Sequence, residues 1–128
     1  LELFDPKTLN VLITDDSPMA RKHIAKMLNS MGIENIEFAE HGKEALERLH
    51  EQEFDLIITD YNMPEMDGRE LTEAVRNSTL LAHIPILMVS SNAEDSQLSN
   101  IVQEGVDAIC GKPFEPSTVR QLLAQILN

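Results

Sequence analysis

Five polar residues stand at or just beyond the ends of apolar runs, and their side chains are of the kinds that bind metal ions and phosphoryl groups. Asp15 and Asp16 follow VLIT, Asp60 follows LIIT, Ser90 follows ILMV, and Lys112 comes shortly after DAIC. Clustered carboxylates repel one another, and a hard cation such as Mg²⁺ removes that penalty while needing only one or two direct carboxylates. A carboxylate can also act as a nucleophile toward phosphorus, while a lysine and a hydroxyl bind the phosphoryl oxygens. The set therefore predicts phosphoryl chemistry with Asp60 as acceptor.

These side chains can meet only if the apolar runs are parallel strands of one sheet. Segments whose apolar residues recur at helical spacing alternate with these runs along the whole chain, which is the pattern of an α/β protein. Strands one, three and four are continuous apolar runs, as expected under helices on both faces, whereas strands two and five are shorter or alternating and suit the edges. We therefore predict a flavodoxin-like, doubly wound, five-stranded parallel sheet in the order 2-1-3-4-5, with five helices. Ligands of such sheets bind at the carboxyl edge.

Local signals set the predicted bounds of these elements. Ser17 and Asp67 are predicted to cap the first and third helices, and Gly32 to end the first. The fourth helix is predicted around 98–102 and the fifth around 119–126. The predicted strands cover residues 10–15, 36–38, 54–60, 86–89 and 107–110. We predict a single domain over residues 1–128, with 1–8 as a short lead-in.

Composition narrows the class of protein. A hydrophobic fraction of 42% with 25% charged residues is typical of a globular domain rather than of a disordered chain. The net charge of −12 argues against nucleic acid or an anionic membrane as a direct ligand. No apolar stretch approaches the roughly 20 residues that span a bilayer, so no membrane insertion is expected.

The single cysteine and the first residues bear on location. Cys110 alone cannot form an internal disulfide, and a lone cysteine in an apolar strand fits a small buried residue of a protein in a reducing compartment. No basic and apolar leader opens the chain, so we expect a cytoplasmic protein. The chain begins at Leu1 rather than at methionine, and we expect it to be part of a longer protein.

Other phosphate-binding motifs are missing. The chain has neither G-x-x-x-x-G-K-[ST] nor G-x-G-x-x-G after the first strand, so a P-loop or a dinucleotide site is unsupported. A flavin site would need a hydroxyl-rich loop after strand one, where Asp15 and Asp16 would instead repel a phosphate in the absence of a metal.

Four motifs, in order and spacing, resemble those of response-regulator receiver domains. They are ITDDS, TDYNMPEMDG, MVSSN and GKPF, and the second is similar to that of single-domain, chemotaxis-type receivers. The resemblance covers nearly the whole chain. It implies Asp60 as the phosphorylation site and Asp16 and Asp60 as direct Mg²⁺ ligands. It further implies that Asp15 acts through water or as a more distant ligand, and that the backbone carbonyl of Asn62 completes the set.

The resemblance also implies partners and a switch. Ser90 would be the hydroxyl that responds to phosphorylation, Lys112 would pair with the phosphoryl group, and Lys112–Pro113 would be a cis peptide. A histidine kinase or a histidine phosphotransfer protein would supply the phosphoryl group, and a downstream protein or an output domain would respond. The domain would catalyse only its own phosphorylation and dephosphorylation, so it is not expected to be an enzyme in the usual sense.

One departure and two alternatives accompany this interpretation. Ile109 stands where the family usually has an aromatic residue that moves together with the hydroxyl residue to report phosphorylation, and isoleucine has no ring or hydroxyl for that movement. A degenerate receiver that only binds partners is one alternative, although the complete set of five residues argues against it. An aspartate-nucleophile phosphohydrolase is the other, but enzymes of the haloacid-dehalogenase kind need a second aspartate where this chain has Asn62.

Two remaining groups of charged or titratable residues are not predicted to take part in phosphoryl chemistry. The four histidines lack metal-ligand spacing and are interpreted as surface or packing residues: His23, His41, His50 and His83. A basic patch on the first helix suits an acidic partner or a solvated face: Arg21, Lys22 and Lys26.

Overall fold

The computed structural model describes residues 5–90, 105–111 and 115–127, which form a parallel sheet with helices on both of its faces. The strands are β1 Asn10–Thr14, β2 Asn35–Ala39, β3 Leu56–Asp60, β4 Ile86–Ser90 and β5 Ala108–Gly111. The helices are α1 Pro18–Ser30, α2 Gly42–Glu51, α3 Gly68–Arg76 and α4 Pro116–Ile126. The predicted fourth helix lies outside the described residues, and the predicted fifth helix is α4.

The strand order is β2-β1-β3-β4-β5, and all four neighbouring pairs are parallel. The predicted sheet order is confirmed, with β2 and β5 at the edges. Strand bounds differ slightly from those predicted, since β1 ends at Thr14 and β3 begins at Leu56. The chain before β3 is instead tied to β1 by the Asp55 N–H, which donates to the Asn10 carbonyl at 2.8 Å.

Alternate strand residues pack into two separate cores. Val11 and Ile13 of β1 pack on one face with buried residues of α1 and α4, and Leu12 packs on the other with residues of α2 and α3. Side chains of a strand alternate between the two faces of its sheet, so an unbroken apolar run fills both cores at once. This is why the central strands read as continuous apolar runs.

Helix starts follow the predicted caps. The Ser17 hydroxyl accepts the Ala20 N–H at 3.2 Å with Pro18 at the first helical position, and Asp67 forms a capping box with Glu70. Gly32, just past α1, has a φ of 92°, a backbone conformation that residues other than glycine rarely adopt. Ser17 and Asp67 both lie at the carboxyl edge of the sheet, so α1 and α3 begin at fixed positions near the predicted site.

Arg76, at the end of α3, ties together segments that the sequence pattern does not connect. Its guanidinium donates to the carbonyls of Gly105, Ala82 and Ile84 at 2.7–3.0 Å and to the carboxylate of Asp107 at 2.7 Å. Five donors in a rigid plane make arginine suited to such a junction. Arg76 thereby fixes the entries to both β4 and β5.

We expect Arg76→Ala to lower the free energy of unfolding by about 2 kcal/mol, because three carbonyls and a carboxylate lose their donor. Urea unfolding followed by circular dichroism measures this change. Glu73→Gln is the control, since Glu73 is exposed and forms a 3.6 Å pair with Arg69, and such pairs contribute about 0.5 kcal/mol or less. Equal unfolding midpoints for Arg76→Ala and the unmodified protein would contradict the role of Arg76.

Candidate functional site

The register of the sheet brings the predicted acidic residues to one edge. Thr14 of β1 pairs with Thr59 of β3, so the residues that follow them lie side by side: Asp15 just after β1, and Asp60 as the last residue of β3. Asp16 comes next in the loop between β1 and α1. Carboxylate oxygens of Asp15, Asp16 and Asp60, one from each, lie within 4.8 Å of one another. The predicted clustering of the three aspartates is confirmed, and we call them the acidic triad.

The acidic triad differs in exposure from one member to the next. Asp15 is 1% exposed and Asp60 is 8% exposed, whereas Asp16 is open to solvent. The carboxylates of Asp15 and Asp60 are buried, and that of Asp16 is exposed. Together they form a set of hard oxygen donors that is accessible from solvent on one side. That donor chemistry fits Mg²⁺, which accepts carboxylates and keeps several waters. The acidic triad can therefore hold a divalent ion.

Asp15 is fixed in place by the start of α1. Its Oδ1 accepts the Ser17 N–H at 2.9 Å, and its backbone carbonyl accepts Nη1–H of Arg21 at 2.7 Å. Arg21 therefore turns from the predicted basic patch toward the site, at least through one of its guanidinium nitrogens. This contact could not be predicted from the sequence, because helical spacing places Arg21 on a helix face without showing how far its side chain reaches.

Asp60 is held by backbone contacts on both sides. The Tyr61 N–H donates to the Val89 carbonyl at 3.0 Å, which continues the β3–β4 pairing past the acceptor. Gly68, the first residue of α3, lies so close that an added Cβ would be 2.3 Å from the Asp60 carbonyl oxygen. Its N–H donates to the Tyr61 carbonyl at 2.9 Å. The absence of a side chain at Gly68 therefore lets α3 begin directly against Asp60.

Asn62, which the resemblance implies as a ligand only through its backbone carbonyl, is exposed in the loop that follows Asp60. The other predicted site side chains lie in or beyond β4 and β5. Ser90 is 2% exposed at the end of β4, and Asp60 pairs with the residue before it, Val89. Ser90 pairs in turn with Gly111 of β5. Lys112 and the Lys112–Pro113 bond lie outside the described residues. The described part of the chain thus brings four of the five predicted site residues to one edge, namely the acidic triad and Ser90.

Two neighbouring residues of β5 have different environments. Ile109 is partly buried and packs against the core that contains Met88 and Val106. Cys110 is buried in the opposite core, and burial, together with the negative charge of Glu115, raises the pKa of its thiol. A raised pKa keeps the thiol protonated and unreactive.

No helix in the described part of the chain is both long enough and apolar enough to cross a membrane.

Comparisons with known proteins agree with this architecture. The family model described as "Response regulator receiver domain" matches residues 11–124. The chain is 34% identical to chemotaxis protein CheY-3 of Vibrio cholerae over 122 residues, which cover 95% of this chain and 94% of that protein. It is 36% identical to chemotaxis protein CheY of Pseudomonas aeruginosa over 120 residues, 94% of this chain and 97% of that protein. The solved structure of the chemotaxis response regulator CheY4 of Vibrio cholerae superposes with a TM-score of 0.83 at 34% identity, covering 93% of this chain and 98% of that one.

Proposed function

The chain belongs to the response regulator receiver domain family, and from this premise we propose that it is the phosphoacceptor receiver of a two-component phosphorelay. It takes a phosphoryl group onto Asp60 in the presence of Mg²⁺ and changes conformation to control a partner or an output domain. The observation that carries this proposal is the acidic triad, whose oxygens lie within 4.8 Å of one another at the carboxyl edge of the sheet.

The transfer step places the carboxylate of Asp60 as nucleophile. Its oxygen forms the new bond to phosphorus while the donor's P–N or P–O bond breaks, and the electron pair leaves with the donor. Asp16 and Asp60 would bind Mg²⁺ directly, Asp15 through water or at a longer distance, and the Asn62 carbonyl would complete the protein ligands. The bound ion would supply positive charge that offsets the triad and the incoming phosphoryl oxygens.

Two further residues are assigned to the phosphorylated state. Lys112 would pair with the phosphoryl oxygens, and the Ser90 hydroxyl would donate a hydrogen bond to one of them. Ser90 is buried at the end of β4, directly after the residue that pairs with Asp60, so its hydroxyl lies on the same edge of the sheet as the acceptor. Ile109 carries no polar atom to exchange partners, so we infer that Ser90 and the chain beyond it transmit the change.

The partners follow from the same proposal. A histidine kinase or a histidine phosphotransfer protein would donate the phosphoryl group, and a downstream protein or an output domain would respond to it. Residues 1–128 would act as one receiver domain that turns over only its own phosphoryl group. We expect the relay to operate in the cytoplasm, since a lone cysteine fits a reducing compartment.

The alternatives are less well supported. A degenerate receiver that only binds partners has no need for a carboxylate cluster with two buried members, Asp15 and Asp60, because buried carboxylates destabilise a fold unless a cation or another partner compensates them. A phosphohydrolase of the haloacid-dehalogenase kind would need a carboxylate where this chain has Asn62.

We expect the protein to gain one phosphoryl group from acetyl phosphate when Mg²⁺ is present and none when a chelator is present. Without a cation the acidic triad repels the incoming anion. Intact-mass measurement gives the stoichiometry, and lability of the adduct to hydroxylamine identifies an acyl phosphate. An adduct that forms equally with chelator, or one that resists hydroxylamine, would overturn the proposal.

A further inference from the structure

Two loops at the carboxyl edge of the sheet are joined to each other, and one of them follows Asp60 directly. His41 precedes α2, and Glu65 lies in the loop 61–67 that connects β3 to α3, which we call the acceptor loop. Nε2 of His41 is 2.9 Å from Oε2 of Glu65. One residue further along each segment, the Gly42 N–H donates to the Met66 carbonyl at 3.1 Å. The acceptor loop is therefore attached to the start of α2 at two successive residues.

The partners of His41 fix which of its nitrogens carries the proton. Nδ1 accepts the backbone N–H of Glu44 at 3.2 Å and so caps α2. A backbone N–H can only donate, so Nδ1 must be unprotonated, and the ring proton is on Nε2, where it faces the Glu65 carboxylate. One neutral imidazole thus satisfies both contacts. His41 is a bifunctional link, with one nitrogen serving the helix and the other serving the acceptor loop.

Glu65 adopts a backbone conformation that needs such support. Its φ is 64°, in the left-handed region that residues other than glycine occupy at a cost of about 1 kcal/mol. Such a conformation persists only where the surroundings hold it. The contacts with His41 and Gly42 provide this hold at the far end of the acceptor loop.

The near end of the acceptor loop is held separately. The Tyr61 N–H donates to Val89 and the Tyr61 carbonyl accepts the Gly68 N–H. Asn62 therefore lies between two attachments, one at Tyr61 and one at Glu65 and Met66. Loosening either attachment gives the Asn62 carbonyl more freedom relative to the Asp60 carboxylate.

We propose that His41 is a positioning residue for the phosphoacceptor site, which through Glu65 holds the acceptor loop so that the Asn62 carbonyl is preorganised for Mg²⁺. This inference rests on the proposed function and adds to it a residue outside the acidic triad. Preorganised ligands bind a metal more tightly because less conformational freedom is lost on binding.

His41→Asn separates the two roles of the imidazole. Asparagine is among the best N-cap residues, so its side-chain oxygen can accept the Glu44 N–H, yet it is too short to reach Glu65. The net charge at neutral pH is unchanged. We expect the Mg²⁺ dissociation constant to rise about threefold, as for the loss of one hydrogen bond, while the urea midpoint of the metal-free protein stays the same. A purely structural role for His41 would shift the midpoint and leave the dissociation constant unchanged.

Variants of Glu65 test the same contact from the other side. Glu65→Ala removes the acceptor, and Glu65→Gln keeps an oxygen for the Nε2–H of His41 but removes the charge. Glu73→Gln is the matched control, since it removes the same charge from an exposed position on α3. We expect Glu65→Ala to weaken Mg²⁺ binding about threefold relative to Glu73→Gln, and Glu65→Gln to bind Mg²⁺ as Glu73→Gln does.

The measurement is a Mg²⁺ titration followed by the amide signals of Tyr61 and Asn62, with phosphoryl uptake from acetyl phosphate measured in parallel. An unmodified protein that gains no phosphoryl group would overturn the proposed function itself. A second outcome would overturn only the role of His41. In it the unmodified protein is phosphorylated, His41→Asn binds Mg²⁺ as tightly as the unmodified protein, and Glu65→Ala binds it as tightly as Glu73→Gln. Weakened binding in both variants, with recovery in Glu65→Gln, supports that role.

Discussion

Asp60→Asn is expected to abolish phosphoryl uptake at every Mg²⁺ concentration, because a carboxamide lacks the nucleophilic oxygen anion that forms an acyl phosphate. The same change removes one of three carboxylates whose oxygens lie within 4.8 Å of one another. The gain in thermal stability on adding Mg²⁺ should therefore shrink as well. For the unmodified protein, Mg²⁺ at 100 times its dissociation constant should add about 2.7 kcal/mol to the free energy of unfolding.

Asp55→Asn is the matched control for this substitution. Asp55 stands at the other end of the same strand, is exposed, and accepts the Asn10 N–H at 2.9 Å, which an asparagine side chain can also do. The two variants make the same chemical change and have the same net charge, one at the amino end and the other at the carboxyl end of β3. Intact-mass measurement should find a phosphoryl adduct in Asp55→Asn and none in Asp60→Asn. Full phosphoryl uptake by Asp60→Asn, or loss of uptake by Asp55→Asn, would contradict the assignment of Asp60 as the acceptor from this pair of variants.

Gly68→Ala is expected to lower the free energy of unfolding by about 3 kcal/mol, although alanine is the better helix former. The added Cβ would lie 2.3 Å from the Asp60 carbonyl oxygen and 3.1 Å from the Tyr61 Cα, and both are backbone atoms. Backbone of a central strand cannot move aside as the end of a side chain can. Relief must come from displacing α3 or Asp60, so surviving folded protein should also be phosphorylated more slowly.

A second glycine provides a comparison for this prediction. At Gly42 the three atoms nearest to an added Cβ are side-chain atoms of Met66: Cγ at 2.5 Å, Sδ at 2.7 Å and Cβ at 2.8 Å. Met66→Ala removes the first two of these atoms and should recover part of the stability in a Gly42→Ala background. At Gly68 the added Cβ would also lie 2.8 Å from Sδ of Met88, but Met88→Ala should not recover Gly68→Ala, because the conflict with the Asp60 carbonyl remains. Urea unfolding of the four variants measures both effects. A Gly68→Ala variant with the stability of the unmodified protein would show that α3 can shift freely.

The fold was predictable because its signals are local in the sequence. Continuous apolar runs identify strands that are buried on both faces, and Ser17 and Asp67 mark helix starts whatever the rest of the chain does. Parallel strands in one sheet bring their carboxyl ends to a common edge, so Asp15 and Asp60 could be placed together before any contact was known. The strand bounds were predicted less accurately, since β1 ends at Thr14 rather than at Asp15 and β3 begins at Leu56 rather than at Phe54.

The sequence by itself therefore determined the sheet order, the presence of helices on both faces and the edge at which the acidic triad assembles. Only the tertiary structure decided which side chains secure that edge. Arg21 reaches back to the Asp15 carbonyl, His41 links α2 to Glu65, and Gly68 lets α3 begin against Asp60. Each of these contacts depends on the path of a loop and on distances between segments far apart in the chain. Periodicity and capping signals describe one segment at a time, so they carry no information about such distances.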